Sequence, residues 1–283
     1  MKKEDLYLVI GLIVILGAVV IGFSVVKSMS GVDPPFTVIE SQSMQHSENS
    51  EIGIIDTGDM ILVKSPDKTN IVTLVEGYAT GEQHFGDYGS VIVYKRDIGN
   101  PVIHRAIIYL EYNSASDSWS APSLENYNLR WSVIGVSDPD VNDLHGTLII
   151  DLPGDYRSVN SVNSVHINLD VLNHKSGYVT MGDNNQDIDQ NSSNISFNTL
   201  VSKDKIKSVA WKEVPWLGAI KLIANGKIDN VTENVPNTIP NLITFIVTII
   251  LILFSIGYVY DINKSKKERD TPTPPFPLEQ EKE

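Results

Sequence analysis

Cysteine is absent from the 283 residues, so this chain can form no disulfide framework, thiol nucleophile or cysteine-ligated metal site. Positive charge is scarce as well. Lys and Arg number 22 against 35 Asp and Glu, a formal net charge of −13. That sign argues against nucleic-acid binding, which needs Lys and Arg against phosphates, and against adhesion to anionic lipid. Solubility at an outer surface is its plainer meaning. There is no internal repeat, and few stretches carry the apolar spacing of a helix.

Charge is missing altogether from two apolar runs. Residues 6–26 hold 15 Leu, Ile, Val or Phe among 21 residues, enough to cross a bilayer. Those side chains favour insertion by roughly −5 to −9 kcal/mol. The run is longer than the apolar core of a cleaved secretory signal, and no Ala-x-Ala cleavage site follows it, so it reads as a retained anchor. Residues 242–260 form a second span, ending in Tyr258 and Tyr260 where an interfacial aromatic belt would sit. Pro236 and Pro240 before it, and the Pro-rich tail after it, set it apart from a buried core helix. Lys2 and Lys3 precede the first run, and Lys264, Lys266, Lys267 and Arg269 follow the second. The positive-inside rule then makes residues 1–5 and 261–283 cytoplasmic and residues 28–240 external, in a two-pass protein of the plasma membrane. Residues 1–5 sum to zero and 261–283 to −1, so −12 of the net charge falls between them.

The external segment is long enough for one large or two small domains, and its pattern is mainly β. Residues 165–171 alternate strictly, as a strand with one buried face does. Residues 60–63, 91–94, 102–110 and 148–150 are short β-branched runs bounded by Gly, Asp, Asn or Pro. Residues 211–223 are the exception, apolar and aromatic enough for a helix along the membrane interface.

The candidate chemistry lies in Ser41-Gln42-Ser43-Met44, which starts 15 residues past Val26; in Ile103-His104-Arg105-Ala106; and in Met181-Gly182-Asp183-Asn184-Asn185, with Asp189 following. A serine hydroxyl needs a base within hydrogen-bond reach and a third group to orient that base. His46, His84, His145 and His174 sit in loop-like sequence and His166 on a polar strand face, so these read as solvated, as do Lys64 and Lys95 at strand ends. Asp183, Asn185, Asp187 and Asp189 mimic the start of a calcium loop, but Ile188 stands where the turn glycine belongs and Asn194 where the bidentate Glu belongs. No metal or other cofactor is expected.

With Gly58-Asp59 and Gly86-Asp87 each leading a strand between them, these boxes resemble type I signal peptidase, in the archaeal and endoplasmic-reticulum branch where histidine replaces lysine as base. The resemblance implies an antiparallel β catalytic domain in two parts, residues 28–110 and 177–240, and a serine endopeptidase acting on preprotein signal peptides after Ala-x-Ala. It further implies Ser43 as nucleophile, His104 as base, Asp189 as its support and Asp183 as a second required aspartate. Ser41 would be the oxyanion donor and Met44 a substrate contact, with membrane lipid and protein-export machinery as partners. Two features depart from the pattern. His46 stands where a proline is expected, and 78 residues separate His104 from Asp183. Residues 111–176 therefore read as an inserted β-rich subdomain, with Trp119, Tyr127 and Trp131 for a small core of its own. Two other readings are an inactive membrane-anchored adaptor with a peptidase-like fold, and a surface glycoprotein, suggested by the acceptor sequons at Asn191, Asn194 and Asn230, of which the first two would crowd Asp189 and read as unmodified.

Overall fold

A computed structural model describes residues 3–96, 99–154 and 162–269. The chain divides into two units, Met1–Ile239 and Pro240–Glu283. Helix α1 (Lys3–Ser30) opens the first, and most of α5 (Thr238–Arg269) forms the described part of the second. Both are long and apolar enough to cross a membrane, with mean hydropathy 2.1 over Ile13–Ser30 and 2.7 over Thr238–Lys266. Their apolar side chains are largely bare of protein, Ile21 at 66% and Phe254 at 74% exposure, as lipid-facing helices require. Each helix outruns its apolar run because the flanking Lys, Ser and Asp residues are helix-compatible; the apolar stretch ends before the hydrogen-bond ladder does.

Between them lie β1 (Phe36–Val38), β2 (Met60–Lys64), α2 (Leu74–Thr80), β3 (Gln83–His84), β4 (Asp87–Tyr88), β5 (Val91–Tyr94), β6 (Val102–Asn113) and β7 (Ser118–Ser120). There follow β8 (Trp131–Val133), β9 (Thr147–Asp151), β10 (Ser164–Asn168), β11 (Gly177–Met181), β12 (Ile206–Val214), α3 (Gly218–Ala224) and α4 (Ile228–Asn234). The protein is thus mainly β, with antiparallel sheets. The main sheet has the order β1-β2-β12-β5-β6-β11, with β7 paired to β6; β10-β9-β8 form a second sheet and β3-β4 a short ribbon. Strands β5 and β11 are buried on both faces, and β5 accordingly reads as a continuous apolar run rather than an alternating one.

Three expectations change. Residues 111–176 were expected to hold a small core of their own. Instead Trp119, Leu148, Ile150 and Ile167 pack in one continuous cluster with Leu74, Ile107, Val179 and Met181 of the main sheet and α2. The expected boundary at residue 111 falls inside β6, whose 12 residues run without a break from the site into this region. The inserted residues cover one face of the sheet, so their core is shared. Residues 211–223 are not one helix: Trp211 lies in β12, Pro215 and Trp216 form a corner with Trp216 at φ 61°, and only α3 is helical. Pairing of β12 with both β2 and β5 outweighs the apolar spacing. The alternating stretch 165–171 is strand only to Asn168, whose side chain accepts from Asp170 N and turns the chain. Helix α2 was missed although its signature is legible: Thr73 and Glu76 make a reciprocal capping box.

Candidate functional site

Strand β1 leads into the loop of residues 39–59 that carries Ser41 and Ser43, β6 carries His104, and the chain leaving β11 carries Asp183 and Asp189. Three of these meet. Ser43 Oγ lies 3.1 Å from His104 Nε2. On the other side of the ring, Nδ1 lies 2.9 and 2.8 Å from the two oxygens of Asp189. Because Nδ1 faces a carboxylate it carries the proton, which leaves Nε2 of the neutral ring as an acceptor for the serine hydroxyl. Both the histidine and the aspartate are buried, so their attraction is little screened by solvent.

Asp189 is itself held by two donors that sequence reading missed. Tyr94 OH on β5 donates to Oδ2 at 2.7 Å, and Thr180 Oγ1 on β11 donates to the same oxygen at 2.6 Å. Burial, reinforced by the nearby Asp189 charge, pushes the Tyr94 phenol far above its usual range, so it remains a donor. A tyrosine in an apolar strand gives no local sign of this role, since its partner is 95 residues away.

Gly182 lets the parts close. A Cβ there would stand 2.5 Å from Ser43 O and 2.9 Å from His104 Nε2, which no other residue type could tolerate. Next to it, Asn184 N donates to Ser43 O at 2.9 Å and Asn184 Nδ2 to Gln42 O at 3.0 Å. The β11 exit thereby fixes the serine loop as well as supplying the aspartate.

Asp183 meets a different partner from Asp189. Its carboxylate takes Arg105 in a two-point bridge, Nε to Oδ1 at 2.8 Å and Nη2 to Oδ2 at 2.6 Å. Burial alone would lower the Arg105 pKa, but the Asp183 charge, the hydrogen bonds to Asp183 and the Asp87 charge together more than offset it, and the pKa is raised. Arg105 Nη1 also donates to the carbonyls of His84 at 2.9 Å and Gly89 at 2.8 Å. The Asp183 carboxylate is thus held in a buried charge pair, and Arg105, beside the candidate base in sequence, is its partner. His46 is not solvated as expected: its ring nitrogen Nε2 lies 3.1 Å from Asp183 Oδ2, and its side chain is 11% exposed. Met44, expected as a substrate contact, turns its side chain into the core. It is 1% exposed and packs among Ile39, Ile55 and Ile61, because the chain turns inward after Ser43.

Ser41 lies on the surface, its Oγ 3.3 Å from Ser43 Oγ. Of the two lysines read as solvated, Lys64 lies 4.1 Å over the Trp211 ring and Lys95 is exposed. Of the calcium-loop candidates, Asp183 and Asp189 are engaged as described, and Asp187 Oδ1 accepts from Ile188 N and Asn191 Nδ2. Among the described residues no group of His, Asp and Glu is arranged to hold a metal ion.

Ser41, Ser43, His104 and Asn185 line a cleft of about 750 Å³ whose other walls include Val38 and Ile103. Two strand edges border it. Strand β1 ends the main sheet, and residues 102–104 of β6 precede the pairing with β11, which starts at Arg105. Further along the serine loop, a network of carboxyls joins it to the end of β12. Asp59 accepts from Trp216 N at 2.9 Å and Asp56 N at 2.8 Å, Asp56 from Glu51 N at 2.7 Å, and Glu213 from Gly53 N at 2.6 Å. Burial pushes Asp59 up to about 8, Glu213 to about 7 and Asp56 to about 6. Asp56 Oδ1 and Glu213 Oε1 are buried with no hydrogen-bond partner among the described residues, an arrangement that favours the protonated acids. No protein-family model matches the chain, and no curated protein or solved structure does either.

Proposed function

We propose that this protein is a membrane-bound serine endopeptidase of the signal-peptidase type, in the histidine-using branch, which removes signal peptides from preproteins. The observation that carries the reading is the hydrogen-bonded line from Ser43 through His104 to Asp189 at the end of an open cleft. In this reading both apolar helices span the plasma membrane, both termini are cytoplasmic, and residues 28–240 are external.

Ser43 attacks the carbonyl after the signal sequence while His104 Nε2 takes its proton. Asp189 stabilises the imidazolium, and His104 returns the proton to the leaving amine. An acyl-enzyme on Ser43 remains, and water activated by the same histidine hydrolyses it. Ser41 Oγ and the Ser43 N–H donate to the developing oxyanion. The substrate enters extended, hydrogen-bonding to the strand edges that border the cleft. Ser43 follows the last apolar residue of the first span by only 17 residues, so a segment just emerging from the bilayer is within its reach. Export machinery that presents such segments is the partner this role requires.

The test is cleavage of a preprotein bearing Ala-x-Ala by detergent-solubilised wild type beside Ser43→Ala, with sequencing of the product N-terminus. Cutting after the second Ala by wild type alone supports the reading. No cutting by either, with folded protein and a control peptidase active on the same substrate, overturns it in favour of the inactive adaptor.

A further inference from the structure

The external part of the chain is acidic overall, yet its cations collect at one end of the main sheet. That end is where α1 joins: Ser65 N donates to Ser30 O at 2.8 Å, and Lys68 Nζ to Ser28 O at 2.6 Å. There β2 finishes, β5 turns towards β6, and β12 begins. Val209 faces Lys64 across the β2–β12 pair, Ile206 faces Tyr94, and Lys95 N donates to Lys205 O at 2.9 Å. Lys203 and Lys207 share a hollow of about 700 Å³ with Ser65, Asp67 and Asn70, while Arg96 and Lys207 line the cleft together with Asp33.

Eight cations therefore gather here, Lys27, Lys64, Lys68, Lys95, Arg96, Lys203, Lys205 and Lys207, against three acids among the described residues, Asp33, Asp67 and Asp204. Asp33 is bridged to Lys27 at 2.7 Å. Lys68, Lys95, Lys203 and Lys207 are exposed. Only residues 27–30 separate the apolar run of α1 from the sheet, a rise of about 6 Å at 1.5 Å per residue. The Debye length at physiological salt is about 8 Å, so the nearest of these cations lie within reach of a headgroup layer at the end of that run.

We propose that this basic rim docks on anionic phosphate-bearing headgroups of the bilayer that α1 crosses, holding the mouth of the cleft against the membrane. The net charge, which by itself argues against anionic lipid, averages over a surface whose membrane-proximal end has the opposite sign. Docking requires no catalysis, so it is tested apart from the proposed activity.

The absence of cysteine allows one label without background. Full-length Asn70→Cys, carrying a fluorophore, is reconstituted in phosphatidylcholine vesicles with or without phosphatidylglycerol, with a nitroxide quencher on the lipid headgroup. Quenching is expected to be stronger with phosphatidylglycerol. The gain is expected to vanish at 1 M salt, where the Debye length is about 3 Å. Combined Lys203→Glu, Lys205→Glu and Lys207→Glu should abolish it in protein of unchanged melting temperature, whereas Arg130→Glu, in the inserted region, should keep it. Equal quenching in the two lipids, as an acidic protein partner for the rim would give, overturns the proposal. So does a gain that survives salt or the triple substitution.

Discussion

Asp183 and Asp189 lie six residues apart on the chain leaving β11, yet their surroundings divide the work of the site between them. Asp189 faces a histidine ring whose far nitrogen meets a serine, and its second oxygen is pinned by Tyr94 and Thr180. Asp183 faces the fully buried Arg105, which clamps the 84–89 carbonyls. One carboxylate sits where a proton can move; the other is fixed in a charge pair. The lesson is that burial and residue type are common to both, and the cation or imidazole opposite decides the role.

Substitution should separate the two most sharply. Asp189→Asn removes the carboxylate that sets the ring tautomer and is expected to lower kcat roughly 10⁴-fold with a folded protein, measured by cleavage and melting together. Asp183→Asn should act chiefly on stability. Breaking a buried pair costs about 3–5 kcal/mol, at roughly 2–4 °C per kcal/mol for a domain of this size, read by thermal denaturation. If Asp183→Asn matched Asp189→Asn in kcat at full stability, the division would be wrong. Smaller losses sharpen the same contrast. Ser41→Ala is expected to cut kcat roughly 10²- to 10³-fold with little change in KM, as removal of one oxyanion donor does. Tyr94→Phe removes a hydrogen bond to a charged group, worth about 1.5–3 kcal/mol, and should reduce kcat about tenfold or more while leaving the serine in place.

A separate effect, on stability rather than rate, concerns the carboxyls of the serine loop and Glu213. Their folded pKa values are raised, so the native state binds more protons than the unfolded chain, and stability falls as pH rises. For Asp59 the loss runs from its ordinary value of 3.8 to about 8; Glu213 and Asp56 add to it up to about 7 and about 6. Melting temperature is expected to decline between pH 6 and pH 8, with Asp59→Asn flattening the upper part of the decline. A melting temperature that rises over that interval would contradict the placement of these acids.

Much of the fold was legible in the sequence for physical reasons. An uncharged run of 21 residues has few destinations besides a bilayer, and short β-branched runs between turn residues marked β2, β5, β6 and β9. Ser43, His104 and Asp189 were legible as a set only through the order of their boxes. Less legible was whatever depends on pairing across the chain. Tyr94 and Thr180 reach Asp189 through the order of β5, β6 and β11, Arg105 finds Asp183 78 residues away, and His46 finds the same carboxylate across 137. The shared core of residues 111–176 was hidden likewise, because alternation identifies the buried face of a strand without naming what covers it.

The most direct test of the account is mass-spectrometric mapping of the adduct left by a serine-directed acylating reagent on the full-length protein. A single adduct on Ser43, lost in His104→Ala and strongly slowed in Asp189→Asn, is the predicted result. No adduct on Ser43 in folded protein, or one that forms equally fast without His104, would contradict it.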